Sequence, residues 1–172
     1  MTKNSEQIVI TDFTNLASQK WRVVNDGVMG GISQSTLQIN TAGNGVFFGK
    51  VSLKNNGGFA SVKNLNPLNL SGYSEFWLRL LGDGSRYSFR FRTENDGDPH
   101  YWVYEIRFET EPDKWLEISL PFTEFIPVYR GKALADIPPP DLSSICEYAI
   151  LISDKQEGPF RLEIDWIKAS AS

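Results

Sequence analysis

"RYSFRFRT", residues 86 to 93, decides the fold class because its alternation is unbroken. Tyr87, Phe89, Phe91 and Thr93 fall on one side; Arg86, Ser88, Arg90 and Arg92 fall on the other. That period of two is what a half-buried strand requires. "YWVYEIRFE", residues 101 to 109, repeats it with Trp102, Tyr104, Ile106 and Phe108 inward and Val103, Glu105, Arg107 and Glu109 outward. Turn-forming residues separate the two runs, so they are expected to pair as an antiparallel hairpin.

The same rule extends outward along the chain. "VFFGKVSLK" (46–54) sets Phe47, Gly49, Val51 and Leu53 against Phe48, Lys50, Ser52 and Lys54. "FRLEIDWIK" (160–168) sets Phe160, Leu162, Ile164 and Trp166 against Arg161, Glu163 and Asp165. Each reads as one dry face and one wet face. Further strands are expected at 7–12, 20–24, 35–40, 58–63, 75–81, 115–120 and 145–153. "NNGG" (55–58) and "GDG" (82–84) separate them, and 123–144, containing "IPPPD", reads as irregular. No stretch offers an amphipathic helix of three turns, although 14–19 and 141–146 suit single turns. About ten or eleven short strands with turn signals between them indicate an all-β, antiparallel sandwich of the jelly-roll kind. The 172 residues are expected to form one domain, with no repeat or linker.

Composition narrows the function. A net charge of -4 and a pI near 5.1 give no basic excess, so no nucleic-acid partner is expected. There is no transmembrane segment and no export signal, which points to a soluble cytoplasmic protein. The lone cysteine, Cys146, cannot form an internal disulfide. With one Cys and one His, zinc sites of the Cys/His type are excluded, and no metal or cofactor is expected.

"NDGVMGGIS" (25–33) is rich enough in glycine to suggest a phosphate cradle. It lacks the lysine and following helix of a P-loop, and it lacks the βαβ setting of a dinucleotide fingerprint. Two accounts stay open. In one, the glycines make a sharp turn whose amides Asn25 and Asp26 satisfy. In the other, Asn25, Asp26, Met29 and Ser33 belong to a rim that receives a polypeptide or small ligand.

Five motifs in order carry a resemblance. They are W-x3-N-D-x-V-M-G-G-x-S from Trp21, F-x-G-x-V-S-L-x-N-N-G-G-F-A-S-V from Phe47, G-D-G-x-x-Y from Gly82, L-P-F-x-x-F-x-P-x-x-R-G from Leu120, and G-P-F-x-L-E-I-D-W-I from Gly158. Together they resemble the complex I intermediate-associated protein 30 family across nearly the whole chain. The resemblance implies a galactose-binding-like β-sandwich. It also implies a non-catalytic assembly factor for a respiratory, NADH:ubiquinone oxidoreductase-type complex or a related photosynthetic one. The implied partner is a subunit or assembly intermediate of that complex, met peripherally at a membrane. Family members carry a mitochondrial targeting extension or, in photosynthetic relatives, a fused dehydrogenase-like domain, and neither is expected from these residues. The chain carries Lys63 where the resemblance implies arginine.

Glu94, Asp96 and Asp98 near His100 read as a solvated hairpin tip ahead of a calcium loop. His100 has no nucleophile motif beside it, and no pair among the Asp and Glu residues stands out for glycoside hydrolysis. The stripe Arg86, Arg90 and Arg92, joined by Arg79, Glu105 and Arg107, is either a salt-bridged wet face or a cationic concave surface with Trp77 nearby. Such a surface would accept an acidic segment, a sugar acid or a phosphate. Phe122, Phe125 and Tyr129 are either a plug for one end of the sandwich or an apolar patch. The candidate binding residues are therefore Asn25, Asp26, Met29, Ser33, Asn56, Phe59, Asp83, Arg86, Arg90, Arg92 and Arg130. A carbohydrate-binding module and a carboxylate-based enzyme stand as alternatives.

Overall fold

The computed structural model describes residues 6–14 and 20–171, with the side chains of residues 28 and 29 outside that description. The alternating segments form strands β1 (Gln7–Thr11), β2 (Trp21–Asn25), β3 (Gln34–Ile39), β4 (Gly45–Val51), β5 (Ala60–Asn64), β6 (Glu75–Leu81) and β7 (Arg86–Asn95). They continue as β8 (Asp98–Pro99), β9 (Val103–Glu109), β10 (Trp115–Pro121), β11 (Ile126–Tyr129), β12 (Lys132–Ala133), β13 (Ile145–Ile152) and β14 (Gly158–Ser170). The expected hairpin is present, with Phe89 opposite Ile106 and Phe91 opposite Tyr104.

Two antiparallel sheets pack face to face. The smaller, six-stranded sheet runs β10-β6-β14-β4-β3 with β1 added beside β14. The larger, eight-stranded sheet runs β12-β11-β9-β7-β13-β5-β2 with β8 on the tip of β7. This is an all-β, antiparallel sandwich. Their inner faces supply the core: Phe76, Leu78 and Leu80 from the smaller sheet meet Tyr87, Phe89, Phe91 and Ile150 from the larger, each at most 1% exposed. Phe76 centres the aromatic packing, with ring centroids 4.6 Å from Phe89 and 5.0 Å from Phe122. Each such pair adds about 0.5–1.5 kcal/mol beyond area burial. Phe122 and Phe125 are buried and close one end of the sandwich, whereas Tyr129 from the same loop is 39% exposed.

The structure corrects several expectations. Trp166 does not face inward, because a bulge in β14 between Ile164 and Trp166 shifts the register. One extra residue exchanges the two faces, so Ile167 and Ala169 continue the core and Trp166 turns out. The segment 123–144 is not wholly irregular: β11 and β12 form a hairpin around Arg130 and Gly131, both at positive φ. Arg79 and Trp77 do not share the arginine stripe, since β6 lies in the other sheet. The single turn expected at 14–19 falls largely on 15–19, outside the described residues. At 141–146 the chain makes a turn, closed by the Ser144 N–H to the Asp141 carbonyl, and enters β13 at Ile145. Among the described residues, no helix is long and apolar enough to cross a membrane.

One buried carboxylate joins the two sheets at their crossovers. The chain passes from β2 in the larger sheet to β3 in the smaller through residues 26–33, and returns from β4 to β5 through residues 52–59. Asp26, fully buried at the head of the first crossover, accepts bonds from the Ser33 N–H at 3.0 Å, the Ser33 hydroxyl, the Gly58 N–H at 2.7 Å and the Phe59 N–H at 3.3 Å. Ser33 Oγ also accepts from the Ser52 N–H at 2.9 Å. Two glycines make room for this. A Cβ on Gly31 would collide with the Asp26 carboxyl, and one on Gly57 would lie 2.5 Å from Asp26 Oδ2 and 2.9 Å from the Ser52 carbonyl oxygen. Burial alone would raise the Asp26 pKa, but the bonds from Ser33, Gly58 and Phe59 outweigh it and hold the group below its ordinary 3.8.

Two outcomes follow from this clamp. Asp26→Ala leaves the buried Ser33 N–H and the partly buried Gly58 and Phe59 N–H groups without this acceptor and is expected to cost about 3 kcal/mol, lowering the melting temperature by roughly 6–12 °C. Gly57→Ala is expected to destabilise in the same direction, whereas Gly27→Ala, whose added Cβ would meet nothing within 4 Å, is the near-neutral control. Thermal denaturation checks all three. Because the folded-state pKa of Asp26 is lowered, its contribution is complete above 3.8 and is lost as pH falls through the folded value. The stability gap between the wild type and Asp26→Ala should therefore close in urea titrations run progressively below about pH 3.8.

Candidate functional site

The outer face of the larger sheet is built from the residues that alternate with the core. On β7 these are Arg86, Ser88, Arg90 and Arg92; on β9, Val103, Glu105 and Arg107; on β13, Glu147, Ala149 and Leu151; on β5, Ser61 and Lys63. Registers set them in rows across the sheet. One row runs Glu105, Arg90, Ala149, Lys63, Arg22. A neighbouring row pairs Arg92 with Glu147, and another runs Arg107, Ser88, Leu151, Ser61, Val24. Ala149, with one methyl between two long cations, leaves a shallow depression of about 170 Å³ at the centre. Lys63, Arg90, Arg92 and Glu147 surround it, and Val24, Phe59 and Val103 supply apolar wall.

Ion pairs organise this surface. Arg90 Nε donates to Glu105, and Arg92 Nε donates to Glu147. Glu147 also receives Lys63 at 3.4 Å, and Glu105 receives Arg107 at 3.6 Å. Glu105, expected on the wet face, points outward yet is only 8% exposed at its side chain because these two arginines cover it. Arg92 reaches further: its Nη1 donates to the His100 carbonyl at 2.7 Å, pinning the loop whose His100 and Trp102 rings stack at 4.2 Å. Arg90 makes no comparable second contact, so its terminal nitrogens have no partner among the described residues.

The other sequence candidates lie in three different settings. Asp26 and Ser33 are interior, within the crossover clamp, and Phe59 connects that clamp to the depression: its backbone bonds Asp26 while the residue lines the wall. Asn25 ends β2 and accepts the Ser35 hydroxyl at 2.7 Å, a further tie between sheets. Asn56 is exposed on the turn before β5 with φ 58°, away from the lining of the depression. The contact expected of Met29 concerns a side chain outside the described residues. Asp83 is occupied by the β6–β7 turn, accepting from Ser85, the Tyr87 hydroxyl and the Arg161 N–H. Burial, then the Asp83 charge, pushes the Tyr87 phenol well above its usual range. Arg86 stands at the far end of its strand, exposed and paired with Glu109 at 2.6 Å. Arg130 sits at the β11–β12 tip over the Tyr129 ring. Glu147 and Ala149, which shape the depression, had no sequence signal because they lie more than fifty residues beyond Arg90 and join it only through pairing.

Three tryptophans occupy the opposite outer face. Trp77 and Trp166 meet edge to face at 5.3 Å and 82°, Arg79 lies over Trp115, and Lys168 lies over Trp166 at 4.1 Å. Cations cap two of these rings, and Trp77 and Trp166 are far from coplanar. Near the β7 tip, Asp96 and Gly97 make the tight turn into β8. Among the described residues, no three His, Cys, Asp or Glu side chains gather as metal ligands would. The carboxyl groups with displaced pKa values, Asp12, Asp26, Asp141 and Glu163, all move downward, towards permanent charge.

Similarity to known proteins follows the same architecture. In structure the chain is similar to the family 11 carbohydrate-binding module of a Clostridium thermocellum cellulosomal cellulase, with a TM-score of 0.73, 12% identity, and 99% and 97% of the two chains covered. At that identity the likeness speaks for the fold. In sequence it is 28% identical over 174 residues to an uncharacterized protein of Schizosaccharomyces pombe, covering 90% of this chain and 80% of that protein. It is 25% identical to the mitochondrial complex I intermediate-associated protein 30 of Drosophila melanogaster over 86% of this chain, and to that of Mus musculus over an equal share. The chain spans 57% of the fly protein and 51% of the mouse protein, about half of each. The model of the family described as complex I intermediate-associated protein 30 matches residues 11–164. That span takes in both crossovers, the clamp and the depression, and the chain belongs to the complex I intermediate-associated protein 30 family.

Proposed function

We propose that the protein is a non-catalytic binding module that holds a subunit or intermediate of an electron-transfer complex of the complex I type during its assembly. The outer face of the larger sheet is the contact surface. The observation that carries this reading is the central depression, where half-buried arginines and a lysine surround apolar wall. Family membership supports the choice of client, and the fly and mouse relatives named complex I intermediate-associated protein 30 support it further. The protein works peripherally to a membrane-bound client. The carbohydrate-binding alternative draws on the fold, but its usual requirement of open, coplanar rings flanking a groove meets tryptophans that are crossed and capped by cations.

The test fills the depression. Ala149→Trp is expected to reduce at least tenfold the recovery of an electron-transfer subunit from native membranes, while Ser119→Trp on the opposite sheet leaves recovery unchanged. Circular dichroism and melting confirm that both variants fold. Recovery of no respiratory or photosynthetic subunit by the wild type, together with normal complex levels in a deletion strain, overturns the reading.

A further inference from the structure

The geometry points to a specific chemistry in the depression: we infer that it receives one carboxylate, the side chain of an Asp or Glu on the partner polypeptide, with an apolar neighbour against Phe59. This deepens the binding reading above and rests on it for the identity of the partner as a protein.

Charge is the first argument. Around the depression three cations, Lys63, Arg90 and Arg92, face two carboxylates, Glu105 and Glu147. Arg22 adds a further cation opposite Lys63 in the register. A positive surplus stands in a chain of net charge -4, on side chains only 25–33% exposed for the three cations. Partly desolvated charge is screened less than exposed charge, so an incoming anion is attracted more strongly than at an open surface.

Geometry then selects among the cations. Arg92 is spent on Glu147 and on the carbonyl of His100, so it serves the fold. Lys63 is a point charge directed at Glu147. Arg90 is different: Glu105 takes its Nε and orients the guanidinium, while the terminal nitrogens remain without a partner among the described residues. Two parallel N–H groups on an oriented plane match a carboxylate. Glu105 and Glu147 flank the spot and repel a second negative charge, which favours a monoanion over a phosphate dianion. Val24, Phe59 and Val103 give the apolar contact that a protein side chain beside the acid would use.

Nuclear magnetic resonance of the full chain tests this with the peptide Ac-Ala-Leu-Glu-Ala-NH2 and its Gln counterpart, reading the Ala149 methyl and the Arg90 Nε–H. The Glu peptide should give saturable shifts at both probes, at least fivefold tighter than the Gln peptide. Arg90→Lys, which keeps the charge but loses the fork, should weaken it at least fivefold. Equal response to the two peptides, or binding of galacturonate without binding of the Glu peptide, overturns the inference. Should Arg90→Lys fail to fold, Ala149→Glu against Ala149→Gln gives the same answer: the Glu variant should melt higher at low salt and block the Glu peptide. A lower melting point for the Glu variant overturns the cation surplus. Client capture that is indifferent to Arg90→Lys removes the carboxylate while leaving the partner reading in place. Carboxylate selectivity without any electron-transfer client does the reverse.

Discussion

The carboxylate of Asp26 is the constraint on which the arrangement of the two sheets rests. A sandwich must move its chain between layers, and here two successive crossovers do so within a few residues of each other in space. Their backbone N–H groups lie outside any ladder and are partly buried, so each needs an acceptor. A charged acceptor serves several donors at once, which a serine or asparagine in its place would do less strongly. The glycines on either side are what permit the close approach. The most recognisable stretch of the chain is therefore part of its internal joinery, with Phe59 carrying the effect outward to the wall of the depression.

From this joint the two outer faces acquire different characters. On the smaller sheet, the bulge in β14 brings Trp166 beside Trp77, and Arg79 and Lys168 cover aromatic surface that water would otherwise meet. On the larger sheet, the cations pair across strands with glutamates, and a single alanine leaves room among them. Half-buried pairs of this kind give little net stability, because the cost of desolvating the charges offsets much of their attraction. Their effect is to fix side-chain direction, so that Arg92 holds the loop after β8 and Arg90 is left oriented with unused donors.

The strands with strict alternation were legible in the sequence, because facing a dry core on one side leaves a period of two that nothing else in the chain obscures. β7 and β9 are the clearest case, and their pairing followed from the turn residues between them. β11 and β12 were not legible: Pro127 and the Arg130–Gly131 tip look like loop, and only pairing with β9 makes a strand of them. Alternation alone places Trp166 inward, because the bulge that turns it out carries no local mark in "EIDWIK". Arg79 looked like a neighbour of Arg90 by spacing, yet the order of strands sends β6 to the other sheet. The candidate site was legible in part, since Arg90, Arg92 and Phe59 were readable while Ala149 and Glu147 were not.

The sequence by itself determined the class of fold, the family and the identity of the arginine stripe. Each is written in local pattern or in motifs that survive without knowledge of strand order. Only the tertiary structure decided that Asp26 is turned inward, that Arg90 and Arg92 have different work, and that an alanine on β13 opens the space between Arg90 and Lys63. The physical reason is that hydrogen-bond saturation and cavity shape are properties of neighbours in space. In an antiparallel sandwich those neighbours come from strands that the chain places tens of residues apart.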